Sequence, residues 1–390
     1  MNEFSRRRLI KLGATVALAP QFGMTAEQAN SSSKAEDYLD GGMKGFAIDT
    51  VERRGNDVSY FDALAATGAN VARIFFPFKK CQNCTQFGRS QANVAALRRI
   101  LNWSSTRSIK IVVVGIFDDQ DKPYFWHSPA LRESFVVNWE WFAKTFQNDP
   151  GLAGMDLMNE PNPPRLSGTT SEAHALWRPL AESAITAIRA AGVKLPIVFE
   201  GIGGGQAIGL RDFQPFNDAQ VVYSFHLYTP HEITHQRVST AWPRTIPYPA
   251  GPEWQLRDAV LEAGGWNQAR LELALKDVIA FQQRYKVPIY VGEFSCVRWA
   301  PNGAARRYLS DCLAIFGRYG WSWSYHEFRG WPGWDAEIPS EDPSVTLRSL
   351  EAPTMKLLLS DISEGKRQSR CAILEPTPAL VGVVCRPFLN

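Results

Sequence analysis

No stretch of the 390-residue sequence is apolar for the roughly 20 positions that crossing a bilayer takes, and no polybasic run lies outside the N-terminus. A membrane-embedded protein is thereby disfavoured, and neither nucleic acid nor an anionic membrane is indicated as a partner. The net charge is only +3, and the first 29 residues, with four basic and two acidic groups, supply most of it. There is no internal repeat and no low-complexity segment. No glycine-rich phosphate turn follows the first β-like run, which argues against a doubly wound nucleotide-binding sheet. The pair Cys81-x-x-Cys84 has no second pair at metal spacing, so a zinc site is a poor reading. The first strand reads Phe46-Ala47-Ile48-Asp49, without the His-x-His that metal-dependent barrel hydrolases place there. No metal and no cofactor is expected.

What is present begins with an export pattern. Ser5-Arg6-Arg7-Arg8-Leu9-Ile10-Lys11 resembles a twin-arginine signal, followed by a modest apolar stretch from Leu12 to about Met24. Residues 1–29 are expected to be a targeting segment, and the mature protein to be periplasmic or extracellular. Six cysteines suit an oxidising compartment, with Cys371 and Cys385 as one candidate disulfide and Cys296 and Cys312 on neighbouring elements.

Residues 34–362 alternate short β-rich runs with amphipathic helical runs, and residues 363–390 form a C-terminal extension rich in proline and apolar residues. Candidate strands are Lys44–Ile48, Asn70–Phe76, Lys110–Ile116, Leu152–Met158, Pro196–Glu200, Val221–His226, Pro288–Val291 and Gly320–Tyr325. Most are continuous apolar runs, as strands covered on both faces should be. Helices are expected at Pro129–Phe146, capped by Ser128, at Ser171–Ala191, closed by Gly192, and at Leu271–Tyr285. Eight strands with intervening helices predict an α/β fold of the (β/α)8 TIM-barrel type. The long segment from Thr229 to Trp266 holds five prolines and reads as a functional loop.

Reactive groups of such barrels sit where strands end. Strand four runs out through Asn159-Glu160-Pro161, and strand seven through Gly292-Glu293-Phe294. Two carboxylates on different strands can face each other across the barrel mouth, as glycoside hydrolysis requires. One protonates the departing oxygen, and the other attacks the anomeric carbon or activates water. The site must then separate their pKa values. Arg73, near the end of strand two, is expected to keep Glu293 ionised, and Tyr228 to hydrogen-bond it.

These marks together, Arg73, Asn159-Glu160-Pro161, Phe225-His226-Leu227-Tyr228, Gly292-Glu293-Phe294 and the run Trp321–Arg329, resemble glycoside hydrolase family 5, the cellulase family of a retaining clan, over roughly residues 40–360. The resemblance implies Glu160 as acid/base and Glu293 as nucleophile. It also implies Asn159 on the sugar 2-hydroxyl and Arg73, His226 and Tyr228 as supporting residues. The sequence departs from the family in two places. The third strand ends Gly115-Ile116-Phe117-Asp118-Asp119 without a histidine, and Tyr325 is followed by His326 where many members carry a tryptophan. Either Trp323 or His326 is expected to take that tryptophan's place under the sugar. Trp126, Trp254, Trp266, Trp331 and Trp334 are candidates for sugar stacking or for anchoring loops, and His231 and His235 for hydrogen bonds near the substrate. The expected activity is double-displacement hydrolysis of a β-linked oligo- or polysaccharide, endoglucanase-like. A catalytically silent glycan-binding barrel and a transglycosylase are the alternatives.

Overall fold

Eight parallel strands close into a barrel in strict sequence order, β1 pairing with both β2 and β8. In the computed structural model they are β1 (Lys44–Thr50), β2 (Val71–Phe78), β3 (Lys110–Phe117), β4 (Leu152–Asp156), β5 (Ile197–Glu200), β6 (Val221–Leu227), β7 (Ile289–Phe294) and β8 (Ser322–His326). The structure describes residues 33–80, 86–164, 170–258 and 260–373, the side chains of the last helix only as far as 365. The expected export segment at 1–29, the Cys81–Cys84 pair and Cys385 lie outside the described residues, as does the Cys371 side chain. Among the described residues no helix is long and apolar enough to cross a membrane.

The eight expected strands all appear. The main helices are α1 (Val58–Ala66), α2 (Gln91–Ser105), α3 (Pro129–Phe146), α4 (Thr170–Ala190), α5 (Gln268–Ala274), α6 (Lys276–Tyr285), α7 (Ala304–Tyr319) and α8 (Pro353–Ile373). Helix α3 starts as its sequence predicts: Ser128 Oγ accepts the Leu131 N–H and Pro129 occupies the first turn. The run expected as one helix over 271–285 is instead two, α5 and α6, which meet at Leu275. Between β5 and β6 only a short 3₁₀ turn, Ala207–Leu210, occupies the place of a helix. Helix α8 crosses position 362, so the expected C-terminal extension begins inside a helix.

The barrel interior is filled in layers. At its N-terminal end Val71, Val112, Ala153, Val198, Val222 and Tyr290 pack together, closed from below by Ala35, Tyr38 and Met43. Outside the strands a much larger apolar cluster binds the helices to the barrel. Above the aliphatic floor the inward positions turn polar, and these carry the site.

Side-chain alternation corrects one expectation. Along β8, Ser322 and Ser324 face inward, the Ser324 hydroxyl donating to the Gly292 carbonyl. His326 continues that face. Trp323 has the opposite parity. It is fully buried against the helices, meets Phe294 at 5.5 Å between ring centroids, and donates Nε1–H to Asp361 of α8 at 3.0 Å. It therefore does not floor the barrel mouth. Cys296 and Cys312, both buried, are free thiols. Trp323→Ala is expected to cost about 3–5 kcal/mol of stability by leaving a cavity, with oligosaccharide affinity unchanged. Chemical denaturation and calorimetric titration check both halves.

Candidate active site

Arg73 organises the polar layer. Its guanidinium has no solvent exposure and spends its donors on four partners. Nε donates to Asp156 at 3.0 Å, Nη1 to Glu293 Oε1 at 2.6 Å, and Nη2 to Glu200 Oε1 at 2.6 Å and Asn159 Oδ1 at 3.0 Å. A planar fork of fixed N–H directions suits such multidentate pairing, where an ammonium would act as a point charge.

Glu293 reaches this layer through an irregularity in β7. Pairing shifts between Phe225 and His226 on one side and between Val291 and Phe294 on the other, which sets His226 opposite Glu293. Bulges re-aim side chains in this way. Gly292 is what permits it: a Cβ there would lie 2.9 Å from Ser224 Oγ and 3.0 Å from His226 Nε2. Tyr228 donates its hydroxyl to Glu293 Oε2 at 2.8 Å. Burial by itself would raise the Glu293 pKa, but the charges of His326, His226 and Arg73 and the Tyr228 hydroxyl hold it well below the usual carboxylate range.

Glu160 lies just beyond β4, at a backbone φ of +50°, the left-handed region that non-glycine residues rarely occupy. Its N–H donates to Glu200 Oε2 at 2.9 Å, and its Oε1 lies 2.9 Å from His226 Nδ1. Burial would lower the His226 pKa, yet the Glu200 and Glu293 charges and the hydrogen bond to Glu160 place it well above the ordinary value. One oxygen each of Glu160 and Glu293, with a His226 nitrogen, fall within 4.8 Å of one another. Three such groups can ligate a metal, but Arg73 and Tyr228 already hold both oxygens of Glu293. A divalent cation there would face a buried guanidinium.

Every expected site residue except Trp323 is brought together. His326 stands at the mouth with Nδ1 3.6 Å from Glu293 Oε2, its ring edge-on to Trp334 at 5.1 Å and Phe75 at 6.3 Å. Of the other tryptophans, Trp126 and Trp266 are core, Trp334 packs on Tyr228 at 5.8 Å, and Trp331 beside it is 38% exposed. His231 joins Glu160, Asn162, Gln206, Tyr228 and Asp258 around a cavity of about 250 Å³. His235 sits behind Tyr228, its pKa lowered to about 4 by burial and by His231 and His326, so it is uncharged at neutral pH.

Three residues escaped the sequence reading. Gln120 stands in the loop where the third-strand histidine is missing and donates to the Asn159 carbonyl at 2.6 Å. Asp156 and Glu200 flank Arg73, both fully buried. Burial and the Glu200 charge push Asp156 well above the usual range, Arg73 only partly offsetting them. Glu200 bore the signal used for Glu293, a lone carboxylate ending an apolar strand.

Two carboxylates this close at the mouth of a (β/α)8 barrel, one of them pinned in its ionised form, define a retaining glycoside hydrolase. The comparisons with known proteins agree. The family model Cellulase (glycosyl hydrolase family 5) matches residues 32–329, and the chain belongs to that family as a cellulase-like β-glycosidase. Endoglucanase C of Acetivibrio thermocellus is 23% identical over 309 residues, 72% of this chain and 85% of that protein. Cellodextrinase A of Ruminococcus flavefaciens is 23% identical over 233 residues, 60% of this chain and 63% of that protein. Among solved structures, endoglucanase Cel5A of Thermotoga maritima superposes with a TM-score of 0.64 at 19% identity, covering 84% of this chain and 99% of that one.

Removal of the guanidinium has a pH signature. Glu200 and Glu293, held below their usual range, add stability above about pH 4.3 that is lost as pH falls through their folded values. Arg73→Met is expected to cost about 3–5 kcal/mol at pH 7 by stranding buried carboxylates. Their pKa values then rise above the unfolded ones, so the loss is smaller near pH 5. Denaturation at both pH values measures it, and an equal loss at both would contradict the account.

Proposed function

We propose that the chain cleaves internal bonds of a β-1,4-linked glucan by double displacement, with Glu293 as nucleophile and Glu160 as acid/base. The observation that carries this is that one oxygen of each carboxylate and a His226 nitrogen all lie within 4.8 Å of one another, which fits the roughly 5–5.5 Å spacing of retaining enzymes better than the 6.5–9.5 Å of inverting ones. A Glu293 oxygen attacks the anomeric carbon as the glycosidic C–O bond breaks and the Glu160 proton passes to the leaving oxygen. Water then gives a proton to Glu160 and its oxygen to the anomeric carbon, and the ester bond to Glu293 breaks with its electron pair returning to the carboxylate. His226 on Oε1 of Glu160 leaves Oε2 to carry the travelling proton.

Asn159 Oδ1 is engaged by Arg73, which turns its amide N–H groups toward the sugar 2-hydroxyl. His326, with Trp334 beside it, serves as the floor on the nucleophile's side, a smaller ring than a tryptophan. The cavity beyond Glu160 receives the leaving-group sugar among Asn162, Gln206, His231 and Asp258. The support for a β-1,4-glucan is the family and its relatives. Cel5A of Thermotoga maritima has been solved with cellobiose and also with mannotriose, so a mannan is the substrate to test beside it.

Glu160→Ala and Glu293→Ala are each expected to lower kcat on soluble β-1,4-glucan by at least about 10³-fold. Azide should restore Glu160→Ala on an activated aryl glycoside by capturing the glycosyl-enzyme as a β-azide. Full activity in either variant would refute the assignment. The chain is further proposed to be exported through residues 1–29 and to act outside the cytoplasm. Its unprocessed precursor should accumulate in the cytoplasm when Arg6 and Arg7 are both replaced by lysine, and unchanged export in cell fractionation would rule this out.

A further inference from the structure

The geometry points to Glu200 as a positioning residue that sets the proton-transfer geometry of Glu160, an inference resting on the acid/base role proposed above. Glu200 ends β5 and has no solvent exposure. It grips Glu160 at two places. Its Oε2 accepts the Glu160 backbone N–H at 2.9 Å, and the same oxygen lies 3.4 Å from His226 Nε2, while His226 Nδ1 meets Glu160 Oε1 at 2.9 Å. The backbone grip acts where it is most needed, at the positive φ of Glu160, a conformation that persists only where its surroundings impose it. The side-chain grip is electrostatic on one side: His226 hydrogen-bonds Glu160 through Nδ1 and forms an ion pair with Glu200 through Nε2, without hydrogen-bond geometry.

The backbone around Glu200 is shaped to leave it room. Gly205, at φ +70°, passes so close that a Cβ would stand 2.9 Å from Glu200 Oε2 and 3.3 Å from the His226 ring, and its carbonyl accepts the His226 N–H at 2.7 Å. Glycine at this position lets one turn close over both groups. Countercharge for Arg73 is not a sufficient reason for Glu200, since Glu293 already pairs with that guanidinium at 2.6 Å. What Glu200 adds is the link from Arg73, which holds the nucleophile, to Glu160, whose side chain is 42% exposed and hydrogen-bonded to His226.

A residue acting through the general acid is needed in proportion to how badly the leaving group needs a proton. The test compares phenyl and 2,4-dinitrophenyl β-cellobioside, which share a glycone and differ in that need. It reads kcat/KM, which reports the glycosylation step, per site titrated with a 2-deoxy-2-fluoro glycoside so that misfolded chains are not counted. For Glu200→Gln the phenyl glycoside is expected to lose roughly 10²-fold and the dinitrophenyl glycoside under about threefold. Asp156→Asn, which touches Arg73 but neither Glu160 nor His226, should lower both alike. Equal losses on the two substrates in Glu200→Gln, or no loss on either, would overturn the assignment. So would the absence of titratable sites in both Glu200→Gln and Glu200→Asp, which would make Glu200 a determinant of the fold. Wild-type turnover of both glycosides separately establishes the underlying reading, and its absence would overturn that reading and this one together.

Discussion

A guanidinium removed from water among Asp156, Glu200 and Glu293 is the constraint around which the upper barrel is arranged. Burying that many charges is costly, and the attraction between them offsets the cost only when each donor finds an acceptor in good geometry. Arg73 meets this condition by spreading its N–H groups over three strand ends and Asn159. Further relief comes from Asp156, which burial and the Glu200 charge drive toward its neutral form. The consequence for chemistry is an ionised Glu293 that cannot rotate away, held also by Tyr228. Electrostatic order of this kind is in place before any substrate arrives, which is where much of an enzyme's rate advantage originates.

The two carboxylates are treated differently by the fold. Glu293 is enclosed, in a strand, and gripped at both oxygens. Glu160 stands outside its strand, on a left-handed backbone position, half open to the mouth and held at one oxygen by His226. A nucleophile needs a fixed position and a charge, whereas an acid/base must exchange a proton with the leaving group and then with water. The two environments suit the division of labour proposed for Glu293 and Glu160. The aromatic and histidine wall of His231, His235, His326 and Trp334 surrounds the same opening and presents ring faces beside a strongly charged centre.

The departures from the family pattern are compensated locally. Without a third-strand histidine, the Gln120 amide reaches the Asn159 carbonyl from the loop that follows, and Trp126 in turn donates to the Gln120 carbonyl. With His326 in place of a tryptophan, Trp334 comes in from the next loop to pack against it. Loop residues thus complete the mouth around the strand-borne centre, in keeping with a barrel whose strands give the frame and whose loops give specificity.

Strand number and order, the start of the Pro129–Phe146 helix and the pairing of Glu160 with Glu293 were all legible in the sequence, because apolar periodicity and residues at strand ends are local signals. Arg73 and Tyr228 were legible as partners of Glu293 because opposite charges and hydroxyls at strand ends have few other uses. The choice between Trp323 and His326 needed the parity of β8 fixed by its neighbours, since a strand's two faces are assigned only when the barrel closes. Glu200 carried a readable signal, but its role, like that of Asp156, depends on a shared guanidinium contributed by a strand far away in the chain. The bulge in β7 that sets Glu293 opposite His226 depends on the space left at Gly292 by Ser224 and His226. Sequence by itself determined which residues reach the mouth of the barrel; only tertiary structure decided which way they face and whom they meet, because burial, register and shared charge are properties of strands brought together.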